Sequence, residues 1–102
     1  MQIGVDVGAT KIETVVLEES GQEKHRSRTA CPKDYLKIIN AIKDVHYKLE
    51  KEFQKELPIG VCHPGIHSPQ TGLVKNAPNC NWLEKKPFQS DLRKALDKEV
   101  FC

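Results

Sequence analysis

At 102 residues the chain is long enough for one domain at most, and 38% hydrophobic against 29% charged residues fits a globular protein rather than a disordered one. The formal net charge of +2 is too small to point to nucleic acid, and no run of five like charges exists. The longest apolar stretches are a few residues, so no membrane span is expected. Met1 leads directly into a strand pattern, which leaves no room for a signal peptide, and a cytoplasmic protein is expected.

"QIGVDVG" alternates apolar and small or polar residues and reads as a strand; "TKIETVVLEES" reads as a second, joined to it by a short turn at Gly8-Ala9. Ser20-Gly21 is a turn signal, and "QEKHRSRTA" reads as a third, amphipathic edge strand. The first forty residues therefore predict an antiparallel meander.

A helix follows. Asp34 is its expected N-cap, and Tyr35, Ile38, Ile39, Ile42, Val45, His46, Leu49 and Phe53 fall on one face, with an end near Glu56. His46 lies on the apolar margin and reads as a partly buried structural histidine. "LPIGVC" predicts a fourth strand, apolar on both faces as parallel strands covered by helices are. It runs into "HPGIHSPQTGLVKNAPNCNWL", a long loop with room for one small hairpin; loops this long in a compact domain are usually functional. After Pro87, Phe88, Leu92, Ala95 and Leu96 have helical spacing, and "EVFC" reads as the start of another strand. The order βββαβ, loop, α, β implies an α/β fold with a mixed sheet.

Cys31, Cys62, Cys80 and Cys102 are widely spaced, with no C-x2-C pair to suggest zinc, and are expected to be ordinary reduced thiols. His63 and His67 flank a Pro-Gly turn but have no acidic or cysteine partner nearby except Cys62, so a metal site there is not expected. Trp82 is expected to pack rather than stack on a ligand.

Two stretches carry candidate chemistry. In Asp6-Val7-Gly8-Ala9-Thr10-Lys11, small residues let backbone N–H groups approach an anion. Thr10 offers a hydroxyl, Lys11 a positive charge, and Asp6 a carboxylate for a metal ion beside a phosphate. A plain hairpin with a capping acid accounts for the same residues, and a P-loop does not fit. In the long loop, Pro64-Gly65 permits a sharp turn, and Asn76 and Asn79 carry amides suited to sugar hydroxyls. A structural loop using Asn and Pro for its turns is the competing reading.

Together, "IGVDVGATKIETVVL", the helix, "IGVCHPGIHSPQTGLVKNAPNCNWL" and "PFQSDL" resemble the ROK family of sugar kinases and repressors over essentially all of the chain, most nearly its fructokinases, glucokinases and N-acetylhexosamine kinases. The resemblance implies an actin-like, ribonuclease-H-like ATPase fold, with residues 1–102 as the N-terminal lobe of a two-lobed hexose kinase whose second lobe is absent. It implies that Asp6, Val7, Gly8, Ala9, Thr10 and Lys11 contact ATP, with Asp6 toward Mg2+, and that Gly65, Asn76 and Asn79 lie at the sugar. The family's catalytic aspartate, in an Asn-Asp-Ala-Asn motif, and its Cys/His zinc site would both fall beyond Cys102, so the fragment alone is expected to be inactive. Two departures stand out: His63 replaces the usual aliphatic residue before Pro-Gly, and Ala9 replaces a common Gly, which the turn tolerates if φ is negative there. The alternatives are the sugar-sensing domain of a ROK repressor, against which Met1 lying one residue before the strand counts, and a non-catalytic remnant. An exposed sheet edge favours self-association, so a homo-oligomer is expected.

Overall fold

A computed structural model describes residues 1–102. The elements run β1 (Gln2–Val7), β2 (Lys11–Leu17), β3 (Glu23–Ala30), α1 (Tyr35–Phe53), β4 (Ile59–Cys62), β5 (Ile66–His67), β6 (Val74–Lys75), α2 (Phe88–Leu96) and β7 (Val100–Phe101). Five strands form one sheet in the order β3-β2-β1-β4-β7. The β1–β2 and β2–β3 pairs are antiparallel, and β1–β4 and β4–β7 are parallel. The meander and the mixed sheet thus form as the alternation and turn signals predict.

Register explains the core. Val16 pairs with Ile3, Ile3 with Ile59, and Ile59 with Val100. All four are buried, making one apolar row across four strands. Val5 and Val61 extend the next row, which ends on buried Thr14. Ile38, Ile39, Ile42 and Leu49 of α1 and Phe88 and Leu92 of α2 close over these rows in one cluster of 20 buried residues. Burying each such aliphatic side chain is worth roughly 1.5–3 kcal/mol, which is why the strand and helix patterns select one another.

Three expectations are corrected. First, β4 is covered on one face only: Ile59 and Val61 are buried, whereas Cys62 is exposed and Gly60 half-buried. Consecutive parallel crossovers that progress in the same direction place their helices on the same side, so the opposite face stays open. Second, α1 ends at Phe53 rather than near Glu56, because Gln54 turns into the left-handed region at φ 55° and caps the helix through Glu50 O. Third, β3 is not amphipathic. Its side chains are mostly exposed, and Arg26 and Arg28 form ion pairs with Glu13 across the strand pair. A charged, exposed edge strand of this kind discourages edge-to-edge pairing.

Asp34 caps α1 as predicted, its side chain accepting a 3.0 Å hydrogen bond from Lys37 N–H. His46 is buried, and burial holds its imidazole below its ordinary pKa. No helix is long and apolar enough to cross a membrane. The long segment after β4 is tightly packed. It contains the small antiparallel hairpin β5–β6, and its Val74, Ala77, Cys80 and Leu83 are buried in the core. Trp82 packs against the core, and all four cysteines are free thiols.

Candidate functional site

The three parallel strands β1, β4 and β7 point the same way, so their carboxyl ends meet at one edge of the sheet. In open α/β sheets ligands bind outside the carboxyl ends of the strands. Here that edge gathers the Gly8–Lys11 hairpin after β1, the His63–Gly65 turn after β4, and Cys102 after β7.

The hairpin closes on a 2.8 Å bond from Gly8 N–H to Lys11 O, and Thr10 O accepts a 2.8 Å bond from Cys31 N–H. The N–H groups of Ala9 and Thr10, at the tip, have no acceptor within the chain, and the Thr10 hydroxyl makes no hydrogen bond. Two unspent backbone donors and a hydroxyl on a tight tip form a small anion-facing set. A Cβ on Gly8 would stand 3.2 Å from Lys11 O, so glycine keeps the hairpin closed. Ala9 has negative φ, and the small substitution is accommodated.

Asp6 is exposed on the open sheet face, beside Glu13 on β2 and Cys62 on β4 in the register. Glu13 is held by Arg26 and Arg28, while the Asp6 carboxylate has no hydrogen bond or ion pair within the chain. A free carboxylate beside free N–H donors fits a phosphate-bound divalent cation in its chemistry. Lys11 is exposed and unpaired as well. Val7 differs: its side chain is buried in the core, so only its backbone can face a ligand.

In the second stretch, Gly65 adopts φ +78° where the turn crosses β6. A Cβ there would lie 3.2 Å from the Asn76 carbonyl carbon, so the fold brings these two candidate residues together. Asn76 is itself left-handed, at φ 62°, a conformation Asn tolerates better than most residues. Its N–H donates to Glu84 Oε1 at 3.1 Å, leaving its exposed side-chain amide free. The Asn79 amide is likewise exposed and free, with buried Ala77 and Cys80 anchoring the segment between and beyond them.

The sequence pattern missed two features of this edge. The Glu13–Arg26–Arg28 group beside Asp6 depends on the register of β2 against β3, which the polar sequence of β3 does not fix. His63 and His67 stand against each other, Nε2 to Nδ1 at 3.3 Å, and Phe88 packs on the His63 ring. Burial, then the neighbouring His63 and Arg93, hold His67 below its ordinary pKa, so it faces this edge as a neutral imidazole.

The ROK family model matches residues 2–102 of the chain. The chain belongs to the ROK family. The N-acetyl-D-glucosamine kinase of Haemophilus influenzae (strain 86-028NP) is 34% identical over 101 residues, covering 98% of this chain and 33% of its own length. A crystal structure of a ROK family glucokinase from Streptomyces griseus, in complex with glucose and AMPPNP, superposes with a TM-score of 0.81 at 25% identity, covering 98% of this chain and 31% of its own. A ROK family transcriptional regulator, a homolog of the E. coli MLC protein, superposes at 0.74 with 15% identity over 98% of this chain and 26% of its own, and shares the fold alone. The chain therefore spans about a third of the length of the relatives it matches. The sheet with its two helices is the ROK version of the actin-like ATPase fold.

Proposed function

We propose that this chain is the N-terminal lobe of an ATP-dependent hexose kinase, contributing the phosphate-facing hairpin and one wall of the sugar site. The observation that carries the reading is the convergence of the free hairpin donors of Ala9 and Thr10, the unpaired Asp6 carboxylate and the Gly65–Asn76 turn at one edge of the parallel strands. Ala9, Thr10 and Lys11 would receive phosphate oxygens, and Asp6 would hold Mg2+ or its water beside them. Gly65, Asn76 and Asn79 would line the sugar. ATP with its metal supplies the transferable phosphoryl group; these residues position it and offset its charge, the main work in such reactions. The activity belongs to a protein of the relatives' full length, because the relatives are about three times as long as this segment. Glucose, mannose, fructose and N-acetylhexosamines are the candidate sugars, and the kinase names of the relatives favour N-acetyl-D-glucosamine. A cytoplasmic location, where ATP is available, belongs to this reading.

The kinase reading is favoured over sugar sensing because the regulator shares only the fold, whereas the kinases match more of the residues. The test is a coupled assay of sugar-dependent ADP release, run on the 102-residue chain and on a chain extended to the relatives' length. Turnover is expected from the longer chain alone, and highest with N-acetyl-D-glucosamine. Turnover by the short chain would refute the division of labour, and none from the long chain would refute the kinase reading.

A further inference from the structure

The edge that gathers the hairpin and the sugar-facing turn also holds a group of side chains that neither role uses. His63 follows β4, His67 lies in β5 and Cys102 follows β7, and one donor atom from each lies within 4.8 Å of the other two. They line one cavity of about 410 Å³ together with Cys62, Gly65 and Gln89.

The spacing within the group is that of a metal site. His63 Nε2 and His67 Nδ1 are 3.3 Å apart. Tetrahedral zinc at Zn–N distances of about 2.0–2.1 Å places two nitrogen ligands about 3.3–3.4 Å from each other. A sulfur at about 2.3 Å from the same ion would stand roughly 3.6 Å from each nitrogen. The Cys102 sulfur needs to close the 4.8 Å limit by about an ångström, within reach of one side-chain rotation at an exposed residue.

The proton positions agree for one histidine and must change for the other. His63 Nδ1 lies 2.8 Å from Pro64 O, so its N–H donates to that carbonyl and Nε2 presents a lone pair to the cluster. A backbone carbonyl on the far nitrogen is the usual partner of a metal-bound imidazole. His67 Nε2 accepts from Gln89 N–H at 3.3 Å, which puts the His67 proton on Nδ1, shared with His63. Metal at Nδ1 moves that proton to Nε2 and opens the contact to Gln89. The contact is already longer than an ordinary N–H hydrogen bond, and its donor sits in the first turn of α2, where water can replace the lost partner.

We propose that His63, His67 and Cys102 form a zinc-binding site, with the fourth position open to water or a ligand oxygen. Two imidazoles and a thiolate suit zinc better than the oxygen-seeking Mg2+ of the nucleotide site. Binding is coordination without oxidation: zinc accepts two nitrogen lone pairs and the Cys102 thiolate, whose proton passes to solvent. The bound ion would tie the turn after β4 to the end of β7. This site is separate from the Cys/His zinc site that the family resemblance places beyond residue 102.

The test is a cobalt(II) titration of the 102-residue chain with its thiols reduced, followed by displacement with zinc. Saturation at one equivalent is expected, with a thiolate-to-cobalt charge-transfer band and the intense visible bands of four-coordinate cobalt, both lost when zinc is added. C102S should lose the charge-transfer band, C62S should keep it, and H63A should weaken binding at least about tenfold while its thermal transition shows it folded. No saturable binding, an unchanged spectrum in C102S, or loss of the band in C62S instead would each overturn the assignment.

Discussion

Gly65→Ala separates backbone strain from steric crowding at the turn beside the sugar-facing asparagines. Gly65 and Gly72 both have positive φ, at +78° and +72°. Around Gly72 an added Cβ meets nothing within 4 Å, so Gly72→Ala carries only the left-handed penalty, about 1–2 kcal/mol. At Gly65 the Cβ would come within 3.0 Å of the Lys75 carbonyl oxygen, and would also stand 3.1 Å from Ala77 Cβ. Both contacts belong to an anchored segment: Val74 N–H bonds Lys86 O at 2.9 Å, Lys85 N–H bonds Val74 O at 2.7 Å, and Ala77 is buried. The turn must therefore move rather than a flexible side chain. Gly65→Ala should lose about 3–5 kcal/mol in total, in the range of severe strain and overpacking. Urea unfolding followed by circular dichroism measures both variants against the parent. If Gly65→Ala destabilises by no more than Gly72→Ala, the close approach of the turn to β6 is wrong.

Lys98 Nζ reaches Glu50 Oε2 at 2.7 Å and Leu57 O at 2.9 Å, and Glu50 also accepts from Leu57 N–H. Burial opposes the charge of Glu50, but Lys98, Leu57 and His46 together hold its carboxyl below the ordinary 4.5, so its stabilisation is present above that pH and lost as pH falls through the lower folded value. His46, held below 6.5 by burial, binds fewer protons folded than unfolded, so stability also declines as pH falls below about 6.5. Unfolding midpoints measured from pH 7.5 to 3 should decrease; His46→Gln should flatten the part below about pH 6.5 and Glu50→Gln the part below about pH 4.5, and parallel curves for all three proteins would refute this. Tyr35 donates to Asp91 at 2.7 Å, joining the starts of α1 and α2, so Tyr35→Phe should lose about 1.5–3 kcal/mol, and a loss below ~0.5 kcal/mol would show that water replaces the bond. Gly8→Ala should weaken ATP binding about tenfold in calorimetry, equivalent to about 1.4 kcal/mol, through its 3.2 Å approach to Lys11 O; unchanged affinity would place the phosphates elsewhere.

The sequence by itself determined most of the elements and the antiparallel pairing of β1, β2 and β3. Strand alternation, the Gly8–Thr10 break, Asp34 as cap and the α1 stripe are local signals, each governed by a few neighbouring residues. The Gly65 turn was equally legible, since only glycine accommodates its φ beside the Lys75 carbonyl. Tertiary structure alone decided which faces are covered. "LPIGVC" reads the same whether helices lie on one side of β4 or both, and only the direction of the two crossovers leaves Gly60 and Cys62 outside the core. It also withdrew the Val7 side chain from the candidate site, because alternate residues of one strand face opposite ways and β1 turns Asp6 outward and Val7 inward. The grouping of Cys102 with His63 and His67 is the clearest case. The cysteine lies 35 residues beyond His67 in the chain, and only the parallel pairing of β4 with β7 brings their ends to one edge.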